Sequence, residues 1–200
     1  MSEKSCWDSS FKSGEFSHWE TYYPSPELAS LVAAGAIAKK ARILDIGTGG
    51  GLDAIFLAEC GFEVVAVDFS RTAIKIAKKR ATKIRERIHW VLASAFSLPF
   101  REETFDFASD RGLFHIIEDT HRSKYAAELF RILKLYGRLI IRGSNEESAA
   151  SDRFNPITEE STDHFFSKPR FQRGPVVPIP LTSSAGVLDG NVVVVKKIQR

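Results

Sequence analysis

Cysteine is scarce. Cys6 and Cys60 are the only two among 200 residues, and no C-x-x-C pair joins them. That excludes a disulfide-stapled framework and a thiolate zinc site, and it fits a reducing, cytoplasmic setting. No metal site is expected. Long apolar runs are also lacking, so no stretch has the length of a membrane span. The N-terminus, M-S-E-K-S-C-W, does not have the basic-then-apolar layout of a signal peptide. No sign of charge is in large excess: the net charge of +3 is too small to imply nucleic acid by itself. Eight Lys or Arg between Arg71 and Arg87 face Glu86 alone. They read as a solvated helix face, because an RNA track would add aromatics for stacking and this stretch has none. There is no internal repeat and no linker. What remains is ordinary globular composition, 44% hydrophobic and 26% charged, long enough for one domain with a sizeable core.

The most informative stretch is Ala41–Gly51, A-R-I-L-D-I-G-T-G-G-G. Ile43, Leu44 and Ile46 form an apolar run interrupted by Asp45. Glycines follow at 47, 49, 50 and 51, and then an amphipathic segment, Leu52–Glu59. The order predicts a buried strand, a tight turn and a helix start. Such a turn lets a ligand approach the backbone closely. A dinucleotide fingerprint, G-x-G-x-x-G, is absent, because the sixth position from Gly47 is Leu52. A second carboxylate, Asp68, ends the next apolar run, Glu63–Asp68, where it can accept hydrogen bonds from ribose hydroxyls.

Along the chain, residues 1–25 are aromatic and polar, including Trp7, Phe11, Phe16, His18, Trp19, Tyr22 and Tyr23. They cannot form a core alone, and they read as a lid over a cleft or a plain brace. Pro26 starts a helix to about Ala38. Cys60, beside the Gly61 helix stop, reads as a small buried hydrophobe. A helix from Thr72, a strand at Ile88–Ala93, a strand at Phe105–Asp110, a helix over about Ser123–Leu133 and a strand at Arg138–Arg142 follow. This β-α alternation predicts a parallel sheet covered on both faces. Gly143–Asp152 reads as a polar loop, and Thr158–Ser161 as the opening of a short helix. Four of eight prolines fall in Pro169–Pro180, so any strand there lies at an edge or is broken. Asn191–Ile198 is a strong last strand closing an antiparallel hairpin.

The loop reads D-x-G-x-G-x-G, with the acid inside the strand. It resembles the glycine motif of class I S-adenosylmethionine-dependent methyltransferases. V-D-F-S-R-T-A-I-K-I-A is similar to that family's second strand and following helix, and L-A-S-A-F-S-L-P-F to its G-D-A-x-x-L-P-F segment. F-D-F-A-S-D-R-G-L-F-H, with the later R-x-x-Y and L-K-x-x-G, resembles the small-molecule branch that contains thiopurine, thiol and tellurite-resistance methyltransferases. The resemblance implies an α/β fold: a Rossmann-like three-layer α/β/α sandwich on a mostly parallel, seven-stranded sheet with a C-terminal antiparallel hairpin. It makes 1–200 one domain: an N-terminal lid and helix (1–38), a cofactor-binding core (39–142), and a variable loop, short helix and hairpin (143–200).

The cofactor implied is S-adenosylmethionine. Asp45, Gly47, Thr48, Gly49 and Gly51 would surround its methionine part, Asp68 the ribose, and Phe69, Ser94 and Ala95 the adenine, with Asp110 and Arg111 near the methyl end. Ser94 stands where the relatives usually have Asp, which loses charge-assisted strength toward the adenine amine. The Asn/Asp-Pro-Pro-aromatic turn of base nitrogen methylation is absent, since Arg111-Gly112-Leu113 follows Asp110. A small-molecule acceptor such as a thiol or chalcogen is expected, with no nucleic acid or membrane partner, and a monomer by default. His115 is the first candidate for a general base, ahead of His18, Tyr22 and His164. Trp19, Tyr22 and Arg142 are candidates for touching the acceptor. A non-catalytic binder of S-adenosylmethionine or its demethylated product is the alternative, and an NAD-dependent oxidoreductase a third reading.

Overall fold

The structure, a computed structural model, describes residues 3–18, 20–21, 23–82, 84, 87–145 and 155–200, with the side chains of 3–6 left aside. Trp19, Tyr22 and most of the expected Gly143–Asp152 loop lie outside the described residues. The chain divides into two compact units: Met1–Ala95 with Thr182–Gly186, and Phe96–Leu181 with Val187–Arg200.

In the first unit, β1 (Arg42–Ile46), β2 (Glu63–Asp68) and β3 (Ile88–Leu92) run parallel in the order β3-β2-β1. Ile43, Leu44 and Ile46 of β1 and Val64–Val67 of β2 are all buried. Burial on both faces is why these strands read as apolar runs without alternation. Covering each Val, Leu or Ile among them stabilises the unit by about 1.5–3 kcal/mol. α3 (Leu52–Glu59) buries Ala54, Leu57 and Ala58, and α4 (Arg71–Arg80) buries Ala73, Ile74 and Ala77. Ser70 caps α4, its side chain accepting the Ala73 N–H at 3.1 Å. Cys60 is exposed, against the expectation of burial, because it sits past the last turn of α3.

Ahead of β1 come α1 (Glu3–Ser13), a 3-10 turn at Glu15–His18, and α2 (Pro26–Ala33). α2 stops short of the predicted Ala38. Gly35 takes a left-handed φ of +66° and ends the helix.

In the second unit, β4 (Phe105–Arg111) pairs parallel with β5 (Leu133–Ser144). β8 (Gly186–Lys197) runs antiparallel to β5, and β6 (Phe171–Arg173) antiparallel to β8. β7 (Val177–Ser183), which contains Pro178 and Pro180, pairs with β8 as the expected hairpin. Among the described residues the short β6 brings the strands to eight, one more than the seven expected. α5 (Asp119–Ile132) begins ahead of the predicted Ser123 and passes straight into β5. α6 (Glu159–Phe165) opens on a reciprocal capping box between Thr158 and Ser161, as the sequence predicts.

Candidate functional site

The glycine turn is built by positive φ. Gly47, Gly49 and Gly51 have φ of +70°, +51° and +80°, and Gly51 is the residue from which α3 starts. A methyl group on Gly51 would stand 2.8 Å from Ala77 Cβ and 3.0 Å from the Trp90 ring, so backbone strain and packing both demand glycine there. The Gly47 and Thr48 N–H groups both donate to Val67 O at 2.9 Å, which fastens the turn to the end of β2.

Two buried carboxylates flank this turn. Asp45, 3% exposed, accepts the Thr48 hydroxyl at 2.5 Å. Asp68, 7% exposed, accepts Gly49 N–H on Oδ2 at 2.9 Å and Ser70 N–H on Oδ1 at 2.8 Å. Burial pushes its pKa up, and those N–H donors pull it back toward the charged form. The Ala93 N–H donates to Asp68 O at 3.1 Å, so Ser94 and Ala95, both half-buried, leave β3 beside Asp68. Phe69, also half-buried, follows Asp68 directly. The first unit therefore brings Asp45, Gly47–Gly51, Asp68, Phe69, Ser94 and Ala95 to the adjoining ends of its strands.

Asp110, Arg111, His115 and Arg142 belong to the second unit. Arg111 is half-buried at the end of β4 and pairs in register with Arg142. The Asp110 side chain is fully buried and turned inward. It accepts Tyr125 Oη at 2.5 Å, Leu113 N–H at 2.9 Å and Phe114 N–H at 3.0 Å, and it thereby caps the turn Phe114–Ile116. Burial raises its pKa to about 6. These bonds make the Asp110 side chain a structural node.

Arg142 is likewise buried, with no exposure at the rim. Its Nη2 donates to Ser109 Oγ at 2.6 Å and its Nε to Asp110 O at 3.2 Å. It holds the end of β4 from a fully buried position.

His115 is engaged at its ring by the backbone. The Ser144 N–H donates to its Nδ1 at 2.7 Å, which leaves the ring proton on Nε2. The lone pair needed for proton abstraction is thus engaged. Burial, with Arg122 nearby, lowers its pKa to about 4. A neutral buried imidazole favours the folded state above pH 6.5, and that contribution disappears as pH falls through 4. The His115→Gln variant is therefore expected to gain thermal stability relative to wild type between pH 7 and pH 4. Melting curves at matched pH values check it; a constant difference would contradict the burial.

Two groups that the sequence did not single out as functional support this end of β4. Arg122 Nη2 donates to Phe114 O at 3.1 Å and to Asn155 O at 2.7 Å, and its guanidinium lies 4.2 Å from the Phe114 ring centroid. The Asn155 N–H donates to His115 O at 2.7 Å. The R-x-x-Y spacing is the only signal: Arg122 and Tyr125, three apart, share the inward face of α5. Among the other candidate bases, His18 and His164 are exposed.

Residues 43–137 match the methyltransferase domain family. A demethylmenaquinone methyltransferase of Clavibacter sepedonicus is 37% identical over 101 residues, covering 50% of this chain and 40% of that protein. A probable thiol methyltransferase 2 of Arabidopsis thaliana is 32% identical, covering 70% and 62%. The chain spans less than two thirds of the length of either relative. The solved 1,6-didemethyltoxoflavin-N1-methyltransferase of Burkholderia thailandensis, holding 1,6-didemethyltoxoflavin and S-adenosylhomocysteine, superposes with a TM-score of 0.81 at 23% identity. That likeness covers 98% of this chain and 87% of that one, and it establishes the shared fold.

Proposed function

We propose that the chain, whose residues 43–137 match the methyltransferase domain family, transfers a methyl group from S-adenosylmethionine to a small-molecule acceptor. The observation that carries this reading is the pair of buried carboxylates, Asp45 and Asp68, on neighbouring parallel strands joined by the glycine turn. The residues suit that cofactor. An ionised carboxylate has about four acceptor positions. Asp68 gives one on each oxygen to the backbone N–H groups of Gly49 and Ser70. The Phe69 N–H also reaches that carboxylate, and the acceptor capacity left over would serve the ribose hydroxyls. Asp45 supplies negative charge for an ammonium beside the turn, and Phe69, Ser94 and Ala95 would take the adenine. A nicotinamide dinucleotide is not favoured, because Leu52 already begins α3 where its third glycine would be needed.

Bound, the cofactor supplies a methyl group already activated by a sulfonium, so the leaving sulfur needs no acid. The chain has to align the acceptor and exclude water. Asp110, Arg142 and His115 contribute by fixing the turn after β4. With its Nδ1 engaged, His115 is poorly placed to deprotonate an acceptor, which favours a nucleophile that ionises by itself: a thiol or other chalcogen. The scarcity of cysteine supports a cytoplasmic setting.

The test is methyl transfer from labelled S-adenosylmethionine to a panel of thiols, selenols, hydroquinones and primary amines. Transfer to thiols is expected, with kcat/KM rising with pH as the thiol itself ionises. Transfer confined to hydroquinones or amines would overturn the acceptor class.

A further inference from the structure

The basic run after Ser70 reads from sequence as a solvated helix face, but its last helical residue turns back onto the glycine loop. Arg80 forms a two-pronged ion pair with Glu20, Nη1 to Oε1 at 2.7 Å and Nη2 to Oε2 at 2.6 Å, and its Nη1 also donates to Gly50 O at 3.3 Å. A methyl group on Gly50 would collide with the Glu20 carboxylate and the Arg80 guanidinium, so only glycine lets the pair seat there. Beside it, the Phe11 ring lies 3.5 Å from the place a Gly49 Cβ would take.

The N-terminal segment is fastened elsewhere as well. At one end, Ser70 Oγ donates to Asp8 Oδ1 at 2.6 Å. In the middle, the Ser184 N–H donates to Glu20 O at 2.8 Å and the Ser184 hydroxyl to Ser17 O. At the far end, Ser25 donates its N–H and hydroxyl to the Asp53 carboxylate at 2.9 and 3.3 Å. These attachments differ in burial. Ser25 and Asp53 are 1% and 6% exposed, whereas the side chains of Glu20 and Arg80 are 18% and 35% exposed. A buried attachment holds where a solvated one exchanges with water. The segment therefore has a fixed root at Ser25 and a releasable catch at Glu20.

We propose that Glu20 and Arg80 are positioning residues that fasten residues 8–20 across the glycine loop and so set how long a bound cofactor stays. This rests on the cofactor reading above. It goes beyond that reading by assigning the retention of the cofactor to one ion pair outside the expected contacts.

The experiment uses the full chain, with Glu20→Ala, Arg80→Ala and the double variant. S-adenosylhomocysteine dissociation is followed by stopped flow, and amide hydrogen exchange across residues 8–20 is measured on the ligand-free protein. Each single variant is expected to speed dissociation about tenfold, to raise KM for S-adenosylmethionine with kcat unchanged, and to accelerate exchange in the segment. The double variant is expected to match the singles, because one catch can be lost only once. Dissociation and exchange that stay at wild-type rates, or effects that multiply in the double variant, overturn the proposal. If wild type fails to bind S-adenosylhomocysteine, the cofactor reading falls and retention with it, whatever the exchange rates. Binding by wild type with unchanged rates in the variants defeats the catch alone.

Discussion

Replacing Asp68 with alanine is expected to weaken binding of S-adenosylmethionine at least a hundredfold. Two charge-assisted hydrogen bonds to ribose, at roughly 1.5 kcal/mol each, would be lost together, and about 3 kcal/mol corresponds to about two orders of magnitude in Kd. A second effect reinforces the first. The Asp68 carboxylate accepts the N–H groups of Gly49 and Ser70, so its removal leaves both donors without that acceptor and loosens the turn on which the cofactor would rest. Asparagine is not a rescue, because its amide would turn N–H groups toward one of those donors. Calorimetric titration of the variant checks the expectation. Affinity within tenfold of wild type would remove the ribose from Asp68.

The second large effect is on stability. Arg142→Ala is expected to destabilise the protein by about 3–5 kcal/mol, the usual result of deleting one partner from a buried charged network. At roughly 2–4 °C per kcal/mol for a chain of this size, the melting temperature should fall by about 6–20 °C. The guanidinium is fully buried, bonds Ser109 Oγ and Asp110 O, and its charge lowers the pKa of Asp110 against the burial that raises it. Without Arg142, the Asp110 carboxylate keeps Tyr125 and two backbone donors but loses a compensating cation. Asp110 is held protonated more readily in the folded state than in the unfolded chain, so its contribution is fully present below pH 3.8 and lost as pH rises through about 6. The Arg142→Ala deficit should therefore be larger at pH 8 than at pH 5. Scanning calorimetry at both values checks it. A melting temperature within 2 °C of wild type at pH 8 would mean that Arg142 is dispensable to the network.

What the sequence made legible was local. The predicted bounds of α3 and β2 match the structure because periodicity, glycines and a terminal acid all lie within a few residues of one another. The Thr158 cap is legible for the same reason. The sequence was silent wherever a residue's role depends on a distant partner. Arg142 ends the predicted strand, where the sequence offers it to an acceptor or to the rim, whereas β5 runs on to Ser144. Only the pairing of β4 with β5 turns it inward onto Ser109. His115 follows the Asp110 turn and invites a catalytic role, but its Nδ1 meets the Ser144 N–H, 29 positions away. Glu20 and Arg80 stand 60 positions apart, and no pattern in either neighbourhood announces the ion pair. Of the motifs that carry the resemblance, the glycine turn and Asp68 lie together in the first unit, and the Asp110 side chain packs within the second.

The most direct test of the central claim is calorimetric titration of the wild-type chain with S-adenosylmethionine, S-adenosylhomocysteine and NAD in parallel. The arrangement of Asp45, the glycine turn and Asp68 predicts saturable binding of both adenosyl ligands and no heat from NAD. Binding of NAD alone, or no binding by any of the three, would contradict it.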